Sequence, residues 1–163
     1  MMHRYSHTLL IYIGSNRVVA LLVCMLLFAS CQDRRTYSHY TTVAVDGWER
    51  NDTLTFAIPP QHAGTYELQI GLRATNAYPF THLSMLMEQT CGIKVRRDTV
   101  RCQITDAKGL LLGKNGISSS EITYHIADIN LKEGDSLTIK FNHCMERNPI
   151  SGISDMGVEL LTH

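Results

Sequence analysis

From Leu54 to Leu160 the chain returns seven times to a short run in which every second residue is apolar. Leu54, Phe56 and Ile58 are followed by Tyr66, Leu68, Ile70 and Leu72, then by Leu83, Met85 and Met87, then by Val100, Cys102 and Ile104. Ile122, Tyr124 and Ile126, then Leu137, Ile139 and Phe141, and last Met156, Val158 and Leu160 complete the series. Successive side chains of a strand point to opposite faces, so this period means strands buried on one side. Turn formers separate the runs, among them Pro59-Pro60, Asn76-Ala-Tyr-Pro79, Cys91-Gly92, Asp106-Ala-Lys-Gly109, Lys132-Glu-Gly-Asp135 and Asn148-Pro149. No stretch keeps a helical period over three turns, and at most one short helical turn is expected, near residues 117–121. The pattern predicts an all-β fold over residues 46–163: an antiparallel two-layer β-sandwich, jelly-roll-like, of about seven to nine strands.

The front of the chain follows a different rule. Val18 to Phe28 is an unbroken apolar run, followed by Ala29-Ser30-Cys31 and preceded by Arg4 and Arg17. As a helix the run would span about 16 Å at about 1.5 Å per residue, roughly half the hydrocarbon core of about 30 Å that a spanning helix must cross. It suits the apolar region of a signal peptide, and small residues before a cysteine suit a lipoprotein cleavage site. Residues 1–30 are therefore expected to be a lipoprotein signal peptide and Cys31 the lipidated N-terminus, carrying palmitate-type acyl chains. The rival reading is an uncleaved anchor from about Thr8 to Ser30, which would enclose Gly14-Ser15-Asn16-Arg17. Two or three acyl chains hold a protein firmly where one holds it only marginally. Residues 31–45 are polar and aperiodic and are expected to form a flexible tether.

Cleavage removes two of the fifteen basic residues and none of the fifteen acidic ones, leaving a slightly acidic domain with no electrostatic footprint for nucleic acid. Cys91, Cys102 and Cys144 remain, an odd number in a compartment where disulfides persist. A Cys91–Cys102 bond would clip a hairpin, whereas alternation places Cys102 with Val100 and Ile104 as a small buried hydrophobe.

Catalytic and metal motifs are weak. His39, His62, His82, His125 and His143 lack the spacing of a helical zinc pair, and no metal or cofactor is expected beyond the lipid on Cys31. Gly109-Leu-Leu-Leu-Gly113-Lys114-Asn115 is one residue short of a phosphate-binding loop and has Asn where magnesium needs a hydroxyl. Gly152-Ile-Ser-Asp-Met-Gly157 lacks the spacing of a nucleophile elbow. Asp128 with Glu133, or Asp46 with Glu49, would serve a cryptic hydrolase only if they met at suitable separation, as would His125 with Asp128 in one pocket. Trp48, Tyr78 and Phe80 stand near turns, where aromatic rings either pack corners or form a stacking platform for sugars. His143, on the apolar face of its strand, reads as a structural histidine.

Four blocks of sequence carry a resemblance: Asp46-Gly-Trp-Glu-Arg-Asn-Asp-Thr-Leu-Thr-Phe56, Leu72-Arg-Ala-Thr-Asn-Ala-Tyr-Pro-Phe-Thr-His-Leu83, Asp98-Thr-Val-Arg-Cys-Gln-Ile-Thr-Asp106 with Gly109 and Gly113, and Met145 with Gly152-Ile-Ser-Asp-Met-Gly157. In this order, after a lipoprotein signal, they resemble the gliding-motility lipoprotein H (GldH) family of Bacteroidetes. The chain departs from that family at Ala74, His82, Leu111 and Glu146. The resemblance implies a non-enzymatic lipoprotein of the cell envelope, a protein-interaction module held in the membrane by its lipid. Its implied partners are envelope proteins of the motility and type IX secretion machinery; a carbohydrate ligand is the alternative.

For such bacteria, Gln32-Asp33-Arg34-Arg35 lacks the acidic cluster of surface-exported lipoproteins, which implies an outer-membrane protein facing the periplasm. Asp52-Thr-Leu54, Asp98-Thr-Val100 and Asp135-Ser-Leu137 resemble the O-glycosylation acceptor of the phylum, making Thr53, Thr99 and Ser136 candidate sites. The same triplets also suit a turn-ending Asp before a strand.

Overall fold

The computed structural model describes residues Arg34–His163; the expected signal peptide and Cys31 lie outside them. Each apolar run becomes a strand, and among the described residues there is no helix. The strands are β1 (Arg35–Thr42), β2 (Leu54–Ile58), β3 (Gly64–Ala74), β4 (His82–Cys91), β5 (Lys94–Gln103), β6 (Lys114–Asn115), β7 (Ser120–Leu131), β8 (Leu137–His143) and β9 (Ile153–Thr162).

Their pairing is nested. β4 pairs with β5, β3 with β7, β2 with β8 and β1 with β9, all antiparallel. The chain is thus one long ribbon doubled at the turn after Cys91. Rolling that ribbon sends alternate pairs to opposite layers, giving one sheet in the order β1-β9-β3-β7-β6 and a facing sheet in the order β2-β8-β4-β5. This is the jelly-roll arrangement, which buries both inner faces with connections that cross between layers.

The core lies between the layers, with Phe56 and Phe141 edge to face at 6.2 Å. Leu68, Ile70, Leu83, Met85, Ile139 and Val158 are fully buried. Burying each such side chain is worth about 1.5–3 kcal/mol. Register decides the cysteine question: Cys102 sits opposite Leu83, eight positions along β4 from Cys91. At about 3.3 Å per residue that is about 26 Å, far beyond the reach of a disulfide. Cys91, Cys102 and Cys144 are free thiols, and burial pushes the Cys102 thiol up to about 12.

Three expectations need correction. The stretch assigned to a flexible tether contains β1, paired with β9 from Arg35 to Thr42. Backbone pairing needs no aliphatic side chain, and one residue adds a lock that a scan for apolar period cannot register. Tyr40 lies across the outer face over Gly157 and Gly71, donates its hydroxyl to Glu121 at 2.7 Å, and receives the Arg73 guanidinium 4.5 Å from its ring centre. A Cβ on Gly157 would sit 2.7 Å from the ring, so only glycine admits this crossing. The folded domain therefore includes β1.

The expected helical turn at residues 117–121 is instead a bend leading into β7. There Gly116 N–H donates to Ser119 O at 2.8 Å, and the Ser120 hydroxyl donates to Asn115 Oδ1 at 2.8 Å.

The third correction concerns β7. Between Leu68–Ala127 and Gln69–His125 the register slips by one residue, leaving Ile126 as a bulge. A bulge shifts the alternation by one position. Ile129 and Leu131 are buried as a result, while Tyr124 and Ile126 are half-buried.

Candidate functional site

The four sequence blocks, far apart in the chain, meet at one end of the sandwich, opposite the end where β1 begins. There the loops before β2, between β3 and β4, after β5, and between β8 and β9 lie side by side. Trp48 and Ile150 form an isolated antiparallel bridge, each N–H donating to the other's carbonyl at 2.8 and 3.0 Å. The Trp48 indole N–H donates to Asp52 O at 2.8 Å. Arg50 clamps the β8–β9 loop. Its amide donates to Asn148 Oδ1 at 2.7 Å, and its guanidinium donates to Met145 O and Glu146 O at 2.7 and 3.0 Å. Asn148–Pro149 is a cis peptide.

Trp48 and Tyr78 are not a stacking platform. Trp48 is completely buried, its ring edge-on to His143 at 5.6 Å. Tyr78 is buried too, and its hydroxyl donates to His82 O at 2.8 Å, so burial holds its pKa well above the usual phenol value. Gly152, at φ +86°, passes against the Tyr78 backbone so closely that a Cβ would collide with it. Phe80 is half-buried on Tyr78, 6.0 Å away and edge-on. Trp48 and Tyr78 are corner packing because the loops close over them, which residue type near a turn does not disclose.

His143 takes the structural role. It is 1% exposed, and Met145 N–H points at its Nδ1 at 3.4 Å while Nε2 has no hydrogen-bond partner. Burial lowers its pKa, with the Asn148 side chain opposing the shift and Arg50 adding to it.

The open part of this end is a cleft of about 530 Å³ between the β3–β4 loop and the β5–β7 connection, lined by Asn76, Asp106, Leu110, Leu111, Ile117 and Ser120. Asp106 shapes it by accepting from the N–H groups of Lys108 and Leu110 at 2.8 and 2.9 Å. Leu110 and Ile117 are 63% and 109% exposed, and Val45 at the same end is 101% exposed. Three large apolar side chains at this end are thus held in water.

The GldH lipoprotein family matches residues 35–160. The chain belongs to that family. It is 31% identical over 130 residues to the gliding motility lipoprotein GldH of Flavobacterium johnsoniae, covering 77% of this chain and 79% of that one. Among solved structures, a family GH115 4-O-methyl-α-glucuronidase, BtGH115A, is similar with a TM-score of 0.46 at 10% identity, over 82% of this chain and 18% of that chain. The Eiger TNF from S. frugiperda is similar with a TM-score of 0.31 at 12% identity, over 78% and 94% of the two chains. At these scores neither bears on the function of this GldH-family chain.

The hydrolase candidates are scattered. Asp128 and Glu133 go separate ways, Glu133 accepting from His62 and from Ala63 N–H at 2.9 Å each, contacts that lower its pKa, the backbone one first. Asp46 and Glu49 are exposed in the loop before β2. His125 does meet Asp128, Nε2 to Oδ1 at 3.7 Å, and Glu67, Nδ1 to Oε1 at 3.0 Å, on the outer face of the first sheet. Hydrogen bonds from Gln69 and then His125 hold the half-buried Glu67 below the usual carboxylate range. A cleft of about 300 Å³ between β5 and β7 takes His125 into its wall along with Tyr124, Cys102 and Asp98, the last paired with Arg96 at 2.5 Å, but neither Asp128 nor Glu67. Among the described residues no group of three His, Cys, Asp or Glu is placed to hold a metal ion.

Thr53, Thr99 and Ser136 are all exposed. Thr53 already accepts a hydrogen bond from Asn142 at 2.9 Å. Leu54 and Leu137, the aliphatic residues that follow two of them, are buried.

Proposed function

We propose that this GldH-family lipoprotein is a non-enzymatic interaction module that faces the periplasm from the outer membrane. It is held there by acyl chains on Cys31 and engages protein partners of the motility and type IX secretion machinery. The observation that carries this reading is the meeting of the four family blocks at the end away from the N-terminus. Those blocks build a rigid frame of Trp48, Arg50, Tyr78 and Gly152, on which Val45, Leu110 and Ile117 are displayed. A frame without converging catalytic groups is suited to holding a partner rather than transforming a substrate. The carbohydrate alternative loses two of its three rings to burial.

Photo-crosslinking in native membranes tests the assignment. A photoreactive residue at Val45, Leu110 or Ile117 should capture defined envelope proteins, and one at Thr138 on the outer face of the second sheet should not. Capture from Thr138 alone would move the contact surface, and turnover of a substrate by the purified chain would end the non-enzymatic reading. Blocking the lipoprotein signal peptidase with globomycin should accumulate a precursor. Glycosylation at Thr53, Thr99 or Ser136 would appear as added hexose-sized increments in the intact mass of native protein.

A further inference from the structure

The end of the sandwich that carries the N-terminus has a composition the interaction role does not use. Arg34 precedes β1, its backbone paired with Thr162 and its guanidinium donating to Thr162 O at 2.8 Å. The β2–β3 loop and the β7–β8 loop close the same end, joined by bonds from Gln61 N–H to Asp135 O and from Gly134 N–H to Gln61 O, both 2.9 Å. The β4–β5 hairpin also turns here, since Cys91 pairs with both Leu137 and Lys94. At the tip of that two-residue turn, after Gly92, stands Ile93, 101% exposed. A branched apolar side chain there packs against none of the described residues, and turn tips ordinarily take Gly, Asn, Asp or Ser.

Cations share this end with it: Lys94 beside it, Lys132 after β7, and Arg34 ahead of β1 at the opposite edge of the sandwich, all exposed, against Glu133 and Asp135, while Arg35 is paired with Glu159 at 3.4 Å. Both acids are charged and fixed within the chain, Glu133 by His62 and Ala63 N–H and Asp135 by Lys132 N–H at 2.9 Å, which turns their oxygens toward these donors. Up the open edge of the second sheet Arg96 is neutralised by Asp98 at 2.5 Å and Arg97 by Glu88 at 2.7 Å, so neither adds an unpaired cation to this end.

Chain length supplies the other half of the argument. Cys31 is three residues from Arg34, and three residues reach at most about 11 Å even when fully extended. Acyl chains on Cys31 would hold its backbone at the headgroup layer, so this end of the domain stays within about 11 Å of that layer.

We propose that this end is a lipid-contacting surface, with Ile93 inserted among the phospholipid headgroups of the anchoring bilayer and Arg34, Lys94 and Lys132 paired with their phosphates. The proposal rests on acylation of Cys31. A cationic patch beside an acyl anchor is a second membrane signal, and here it fixes orientation rather than attachment. The strands then stand away from the bilayer. Ten residues of β4, at about 3.3 Å each, would place the distal loops some 30 Å from the surface.

The test uses the acylated mature protein in vesicles of phosphatidylethanolamine and phosphatidylglycerol doped with a phospholipid that crosslinks from its headgroup region. Peptide mass spectrometry then maps the lipid adducts. Adducts should fall mainly on residues 91–95, and the double variant Ile93→Asp, Lys94→Glu should lose them while keeping its native circular dichroism. Ile93→Trp should keep or increase them. Adducts spread evenly over both ends, or confined to residues 31–35, would overturn the proposal by showing a domain that tumbles on its anchor. The mass of the N-terminal peptide reports acylation separately. A bare Cys31 would remove the anchoring itself, a failure distinct from that of the seated orientation.

Discussion

At the N-terminal end of the sandwich the chain crosses between layers in short loops held by backbone bonds, and the residues at the tips are charged or fully exposed. At the distal end the crossings are longer, and a long loop has more conformational entropy to lose. There Trp48, Tyr78 and Ile150 are drawn inside with Met145 packed against them, and side-chain bonds from Arg50 and Asn142 tie one loop to the next. The difference shows how one fold divides its work. An end closed by short loops keeps its tip residues in water, whereas an end closed by long loops packs aromatic side chains inward as a frame around the few residues it leaves outside.

That contrast can be broken by mutation. Trp48→Ala should cost about 3–5 kcal/mol of unfolding free energy through the cavity left among the distal loops, measured by urea denaturation of the mature protein. The same measurement on Ile93→Ser should move stability by no more than about 0.5 kcal/mol, since an exposed tip packs nothing. Equal effects would mean that the two ends are closed alike. Gly157→Val drives a side chain into the Tyr40 ring and should cost about 1–3 kcal/mol as overpacking. Amide hydrogen exchange should then quicken in β1 more than in β8, because β1 is the strand that Tyr40 pins.

A smaller effect sharpens the picture at the distal end. Burial holds the folded pKa of His143 below the usual 6.5. As the pH falls through that value the unfolded chain binds a proton that the folded chain refuses. Stability should therefore be full above about pH 6.5 and decline toward the lowered folded pKa, by at most about 1.4 kcal/mol per pH unit for one proton. Denaturant midpoints measured across this window should show the slope in the native protein and lose it in His143→Phe. An unchanged slope in the variant would assign it to other groups.

The strands were legible because each apolar run carries its own period, and Phe56, Ile70, Met85, Ile139 and Val158 fall inside as alternation requires. β1 was not legible. Its inward positions are Tyr37, His39 and Thr41, and what fastens it is a Tyr40 crossing to glycines 31 and 117 positions further along the chain. The β7 bulge was equally hidden, since only the partner strand decides which residue is left over, and it moved burial from Ile126 to Ile129. Trp48 and Tyr78 carried the right signal, aromatic rings at loops, with the opposite meaning. Whether a ring at a turn faces water depends on the loops that cover it, and those come from elsewhere in the chain.

By itself the sequence determined that this protein is an all-β sandwich and a member of the GldH family, because alternation and short motif blocks are local and survive without knowledge of neighbours. Only the tertiary structure decided that the domain includes the strand just after the expected lipid anchor, that the family blocks form one end, and that Ile93 with its cations forms the other. Those facts depend on which distant segments pair, and pairing is settled by the joint burial of both sheets rather than by any single run of residues.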